Sequence, residues 1–322
     1  MEQNQSTNVL DRFRNVAVIG AGVIGSSWTA LFLAHGLNVV VSDPRPDVET
    51  EVRDDLAKIA PTLDALGLTS TDLDRRLRFE PDTTRAVEGV DVVQENGPER
   101  LPFKQELWAN IERVSPQALL LSSSSSLTAS QQAALMKHPD RLLIGHPFNP
   151  PHLIPLVEVV PGEKTDPKAI EDAVAFYSAL GKVAKVIHKE IRSFVANRLQ
   201  GAIFRECVYL VKEGVVSVDE LDDVVTNSIG LRWAAGGPFQ SFHLGGGSGG
   251  ISHFFQQFAP GMTIAWKGFQ ETSVEPDEAT TGLIIAQVAA SYGKMSMEEL
   301  ERRRDRKQLA ILRALAAEEA EA

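Results

Sequence analysis

The sequence predicts an α/β protein, a Rossmann-like, doubly wound, mainly parallel sheet followed by a second, all-helical C-terminal domain. Three observations predict it. The glycine motif Gly20-Ala21-Gly22-Val23-Ile24-Gly25 follows the apolar run Val16-Ala17-Val18-Ile19 and opens an amphipathic stretch. From Asn15 to about His188, short β-branched runs alternate with helical stretches, the pattern of βαβ units. Beyond Ser193 the strand signal stops, and Val195, Leu199, Ile203 and Leu210 recur at helical spacing.

Strands are expected at 16–19, 37–41, 78–79, 91–94, 118–121, 142–144, 155–160 and 183–187, with helices at 23–35, 48–66, 104–114, 128–137 and 167–180. The last helix is the best marked, with Asp166 as N-cap, Pro167 at the first helical position and Gly181 just past the end. The helical domain should hold helices at 196–212, 217–228, 253–258, 281–291 and 297–317. A loop-rich section is expected around Gly236-Gly237-Pro238 and Gly245 to Gly250. The resulting division is a flexible leader at 1–14, a dinucleotide-binding domain at 15–190 and a helical substrate and dimerisation domain at 191–322.

Composition bounds the function. The chain has 322 residues, 43% of them hydrophobic, enough for two packed cores. Its 43 acidic against 32 basic residues, net −11, speak against a nucleic-acid partner. No apolar run approaches the roughly 20 residues of a membrane span, and the first residues lack the pattern of a signal peptide. The single cysteine, Cys207, can form neither an intrachain disulfide nor a metal cage, so no metal is expected and a reducing cytoplasmic location fits.

The glycine motif in its strand-turn-helix context predicts a dinucleotide site. Gly20 permits the tight turn, Gly22 the close approach of backbone to pyrophosphate, and Gly25 the packing of helix on strand. Val23 and Ile24 supply N–H groups at the positive end of the helix, so an acidic protein can hold these phosphates without lysines. Asp43 ends the second strand about 20 residues on, where a carboxylate accepts ribose hydroxyls and repels a 2′-phosphate, favouring NAD over NADP. Arg45 stands beside it.

A second cluster bears on the chemistry. Gly145-His146-Pro147-Phe148-Asn149-Pro150 closes a predicted strand, where sites form in doubly wound sheets. Glu158 follows inside the apolar run Leu156-Val157-Glu158-Val159. A carboxylate there is costly to bury without a partner, which a nearby imidazole would provide.

Together with the Ser-rich Leu121 to Leu127 and Val195-Ala196-Asn197-Arg198, these segments resemble the L-3-hydroxyacyl-CoA dehydrogenase superfamily over about residues 15–245. The resemblance implies NAD as cofactor, oxidation of a 3-hydroxyl group or the reverse reduction, and a homodimer formed through the helical domain. It implies His146 as catalytic base, Glu158 as its orienting carboxylate, Ser125 and Asn197 as hydrogen-bonding partners of the reacting oxygen, and Asn149 as a substrate contact. Glu95, near the nicotinamide end, and Arg100 are assigned to the cofactor.

Acyl-CoA enzymes of the superfamily carry a long helical excursion after the second strand. Here that segment is shorter and acidic between Asp47 and Asp64, a poor place for a nucleotide 3′-phosphate, although Arg75, Arg76 and Arg78 follow. The stretches Val93 to Arg100, Asn149 to Glu158 and Gly230-Leu231-Arg232-Trp233 are similar to the branch of L-carnitine and L-gulonate 3-dehydrogenases. The expected partner is thus a small polar 3-hydroxy or 3-keto acid, carnitine-like in the first instance, with Trp233 as an aromatic wall for a quaternary ammonium. Gulonate oxidation, 3-hydroxyacyl-CoA oxidation and reduction of a polyketide-type 3-keto acid stay open, as does a non-catalytic NAD-binding structural or sensor protein.

Overall fold

The computed structural model describes residues 9–321. Eight strands form one sheet: β1 (Asn15–Ile19), β2 (Asn38–Ser42), β3 (Leu77–Phe79), β4 (Val92–Glu95), β5 (Leu119–Ser122), β6 (Leu142–Pro147), β7 (Leu156–Pro161) and β8 (Val183–Val186). Their order is β3-β2-β1-β4-β5-β6-β7-β8, so the chain reverses direction across the sheet between β1 and β4. The central strands are buried along their length, which explains why they read as continuous apolar runs rather than alternating ones. One face packs on a core holding Trp28, Phe32, Phe176 and Tyr177, the other on a core holding Trp108 and Ile111.

Every strand pair is parallel except β6 with β7. The connection at 148–155 is shorter than the roughly dozen residues a parallel crossover needs, so β7 returns antiparallel. In that register His146 lies directly opposite Glu158.

All eight expected strands and the helices Val23–Ala34, Val48–Ala65, Leu101–Val114 and Pro167–Ala179 are present. Other expectations need correction. The stretch at 128–137 breaks into a short helix, Ala129–Gln132, and a 3-10 turn, Ala133–Leu135, and the N–H groups of Lys137 and His138 donate to the Glu112 carboxylate instead of to helical carbonyls. Within the expected leader, Val9–Arg12 is helical and Phe13 is buried edge-on against Phe176, with Arg12 paired to Asp172 at 2.6 Å. Residues 1–8 of that leader lie outside the described residues.

Two compact units divide at Arg198 and Leu199, inside the helix Ala196–Lys212 rather than before it. The first turn of this helix goes with the sheet because its N–H groups bond to Glu158, as described below. The second unit contains Val218–Thr226, Ile229–Ala235, Pro238–Gly245, Gly250–Glu271, Glu278–Tyr292 and Met297–Glu321. The section expected to be loop-rich is therefore largely helical, and the helix expected at 253–258 runs on through Pro260. Gly246 serves packing: a Cβ there would stand 1.8 Å from the Gly250 carbonyl oxygen. No described helix is long and apolar enough to cross a membrane.

A buried polar chain ties the sheet to its covering helices. Tyr177 donates to Gln94 (2.8 Å), while Gln94 Nε2 (2.9 Å) and Trp28 Nε1 (3.2 Å) both donate to Ser123 Oγ. Gly145 leaves room for it, since a Cβ there would stand 1.9 Å from Tyr177 Oη. Gly145→Ala is expected to cost about 2–4 kcal/mol, from overpacking plus the displaced buried hydrogen bond. The denaturant midpoint measures it, and an unchanged midpoint would show that Tyr177 moves freely.

Candidate active site

The glycine loop runs from the end of β1 into the helix Val23–Ala34. Gly20 has φ +83°, a conformation that favours glycine, and a Cβ on Gly25 would stand 2.0 Å from the Gly20 carbonyl oxygen. Gly22 differs, because a Cβ there would meet no protein atom within 4 Å. Protein packing does not require this glycine, whereas a ligand lying close over the backbone does. No side chain caps the helix, and Val23 is exposed at its start, so the N–H groups of Val23 and Ile24 face outward on a bare, positively polarised end. These residues fit a dinucleotide pyrophosphate.

Asp43, at the end of β2, is almost fully buried and accepts from the Ala21 N–H at 2.9 Å and from Arg45 Nε at 2.9 Å. Burial alone would raise its pKa. The Arg45 side-chain bond, the Ala21 N–H and the Arg45 charge outweigh that and hold it below the usual aspartate value.

At the carboxyl end of β6, the His146 ring lies between Phe148 and Phe194, with centroids 4.8 and 5.5 Å away. Its Nδ1 is 2.8 Å from Glu158 Oε2, and the other oxygen of Glu158 accepts from the N–H groups of Val195 (3.0 Å) and Ala196 (2.9 Å). Burial pushes the Glu158 carboxyl up, but the His146 bond and these two N–H donors hold it below the ordinary value of 4.5. An ionised Glu158 accepts a proton donor at Nδ1, which leaves the Nε2 lone pair free to accept. Asn197 Nδ2 lies 3.5 Å from Nε2 and 3.4 Å from the Ser125 carbonyl oxygen. The structure thus brings His146, Glu158, Asn197 and the exposed Ser125 into one cluster, and leaves Asn149 exposed on the next turn.

Glu95 sits differently from the expected contact with the nicotinamide. It is wholly buried at the end of β4, paired with Lys104 at 2.6 Å and accepting from Ser122 Oγ (2.6 Å) and the Gly97 N–H (2.6 Å). Its carboxylate is spent on shaping the loop rather than offered to a ligand. Arg100 is exposed at the start of the helix Leu101–Val114, 5.8 Å from the Phe103 ring. Trp233 belongs to the second unit, on Ile229–Ala235, and is 36% exposed.

Four residues have no signal in the sequence alone. Glu99 Oε1 gathers the serine loop, accepting from Ser124 Oγ (2.5 Å) and the N–H groups of Ser125 (3.2 Å), Ser126 (3.0 Å) and Leu127 (3.3 Å). Burial would raise its pKa, but the Ser124 bond and the Lys104 charge lower it on balance. Five serines in a row are therefore a structured turn around one carboxylate. Lys182, its pKa pushed down to about 7 by burial, donates to the Pro151 and Ile154 carbonyls and fixes the turn after Asn149. Ser193 and Phe194 both have positive φ, +64° and +50°, and this tight turn aims the Val195 and Ala196 N–H groups at Glu158.

Two outcomes follow from this geometry. A non-glycine residue in the left-handed region costs about 1–2 kcal/mol, part of which glycine's extra unfolded entropy cancels, so Ser193→Gly should stabilise by about 0.5–1 kcal/mol in urea denaturation. Glu158 has a folded pKa below its unfolded value, so its stabilisation is complete above 4.5 and is lost as pH falls through the depressed folded value. Glu158→Gln should flatten that acid limb of the stability profile, and an unaltered limb would assign it to other carboxylates.

Comparison with known proteins identifies the family. The NAD-binding domain of 3-hydroxyacyl-CoA dehydrogenase matches residues 15–191, and the C-terminal domain of the same enzymes matches 194–279. An L-carnitine dehydrogenase of Pseudomonas sp is 40% identical over 315 residues, covering 97% of each chain. That of Pseudomonas aeruginosa is 41% identical over 303 residues, covering 94% of each. Among solved structures, 5-formyl-3-hydroxy-2-methylpyridine 4-carboxylic acid 5-dehydrogenase, an NAD+-dependent dismutase, superposes with a TM-score of 0.73 at 27% identity, covering 94% of this chain and 99% of that one. Escherichia coli K12 3-hydroxybutyryl-CoA dehydrogenase superposes with a TM-score of 0.60 at 28% identity, covering 76% and 53%. With the glycine loop that suits NAD and both domains matched in order, the chain belongs to the 3-hydroxyacyl-CoA dehydrogenase family and is an NAD-dependent oxidoreductase acting on the CH–OH group of a hydroxy acid.

Proposed function

We propose that the substrate is L-carnitine or a close analogue, oxidised at its 3-hydroxyl, with His146 and Glu158 as the acid-base pair. The observation that carries the chemistry is the buried 2.8 Å contact between His146 Nδ1 and Glu158, with Nε2 turned toward Asn197. Held at the glycine loop and Asp43, NAD would supply the hydride acceptor for C3. His146 Nε2 takes the hydroxyl proton, and Glu158 stabilises the imidazolium that results, a general-base contribution of about 10²–10⁴-fold. The Asn197 amide and the Ser125 hydroxyl hydrogen-bond the same oxygen. In the reverse direction the imidazolium returns the proton.

The choice of a small polar substrate rests on relatives named L-carnitine dehydrogenase that align over nearly their whole length. Charge placement supports it against an acyl-CoA ester. A single helix, Val48–Ala65, fills the segment after β2, with Glu49 and Glu51 in its first turn. Arg75, Arg76 and Arg78 line a cavity of about 420 Å³ with Asn15 and Asn38 at the amino ends of β1 to β3, the edge opposite the glycine loop. That basic cluster is on the wrong edge to meet a CoA phosphate. Trp233 is the proposed aromatic partner of the trimethylammonium group.

A homodimer is supported by the second unit's exposed apolar side chains, including Phe239 (80%), Ile264 (74%) and Trp266 (57%), which a partner of the same chain would cover. The lone Cys207 suits a reducing cytoplasm.

The test supplies NAD with L-carnitine, gulonate, 3-hydroxybutyrate and 3-hydroxybutyryl-CoA and follows NADH formation. Carnitine should give the highest kcat/KM, and a strong preference for the CoA ester would overturn the reading. His146→Ala should lose about 10²-fold or more in kcat while still binding NADH; an unaltered rate would remove His146 as the base.

A further inference from the structure

Arg45 occupies the place where Asp43 would meet a ribose. Asp43 Oδ1 accepts from the Arg45 N–H (3.0 Å) and Nε (2.9 Å), while Oδ2 accepts from the Ala21 N–H (2.9 Å) and lies 3.4 Å from Arg45 Nη2. The same Nη2 reaches the Ala21 carbonyl at 3.2 Å, and Nη1 donates to Glu51 in the first turn of Val48–Ala65. A carboxylate offers about four acceptor directions, and all four of Asp43 are engaged by the chain itself. Three segments therefore hold one guanidinium against one carboxylate: the glycine loop, the end of β2 and the following helix.

We propose that Glu51, acting through Arg45, strengthens the preference of this enzyme for NAD over NADP. The proposal rests on the reading of Asp43 as acceptor of the adenosine ribose hydroxyls. An arginine near this position is what accommodates a 2′-phosphate in NADP-binding sites of this fold. Here its charge is already divided between Asp43 and Glu51. A 2′-phosphate would meet two carboxylates and one cation, and Arg45 could turn Nε and Nη2 to it as a bidentate pair only by leaving Asp43, while Glu51 on Nη1 still draws on the same charge. An unmodified ribose asks less, since its neutral hydroxyls need only replace Arg45 at Asp43 while Glu51 keeps the guanidinium nearby. Arg45 and Glu51 are both partly exposed, so the effect is modest, about three- to tenfold. Glu51 is thus a selectivity residue that need not touch the cofactor.

The test measures NADH and NADPH dissociation constants by nicotinamide fluorescence for the wild type, Glu51→Gln, Arg45→Ala, the double variant and Asp43→Asn. Glu51→Gln should lower the NADPH constant relative to that of NADH by about three- to tenfold, and adding Arg45→Ala should abolish the gain. A Glu51→Gln ratio indistinguishable from wild type overturns the proposal, as does a double variant that keeps the gain, which would show simple charge removal rather than release of Arg45. Asp43→Asn separates the two readings. If it leaves NADH binding intact, the ribose reading fails and takes the proposal with it. If it weakens NADH while Glu51→Gln moves nothing, only the role of Glu51 fails.

Discussion

The site depends on the one antiparallel pairing in an otherwise parallel sheet. Because the 148–155 connection is too short for a crossover, β7 runs back along β6 and sets Glu158 opposite His146. A lone carboxylate in that apolar strand would be expensive to bury, and its two oxygens instead receive the imidazole on one side and the Val195 and Ala196 N–H groups on the other. The same carboxylate therefore orients the imidazole and anchors the first turn of the Ala196–Lys212 helix. That anchoring delivers Asn197 to the open side of the imidazole, so a strand pairing, a helix start and a candidate catalytic group are one linked arrangement.

Buried or half-buried carboxylates do comparable work around the rest of the carboxyl edge. Asp43 binds the glycine loop to the end of β2, Glu95 ties β4 and β5 to Lys104, and Glu99 folds the serine loop. Each is matched by N–H groups, hydroxyls or a buried cation, which is the condition for keeping charge out of water. The net charge of −11 thus includes acidic groups committed to internal order. The bare end of the Val23–Ala34 helix offers backbone N–H groups that fit cofactor phosphates without a basic side chain.

Much of the fold was legible because its signals are local. Strand and helix periodicity, the Asp166-Pro167 start and Gly181 stop, and the glycine motif all depend on residues within one turn or one strand of each other. The same local logic misread the glycines at 245–250 as a loop, since glycine marks flexible chain and close helix packing alike. It also stopped a helix before Pro260, although Gly250–Glu271 continues through it. The pairing of His146 with Glu158 could be anticipated from the cost of a charge inside an apolar strand.

By itself, the sequence determined the order of elements, the dinucleotide loop and the chemical types at the strand ends, because those follow from side-chain spacing along the chain. Only the tertiary structure decided what each polar group is spent on. Glu95 and Glu99 stand four residues apart with similar surroundings in sequence, yet one is sealed against Lys104 and the other gathers a loop 25–28 residues away. Arg45 reads as a bystander until its guanidinium is seen lying across Asp43 and the glycine loop. The physical reason is that a hydrogen bond is directional and short-ranged, so its partner is chosen by where distant segments are brought together.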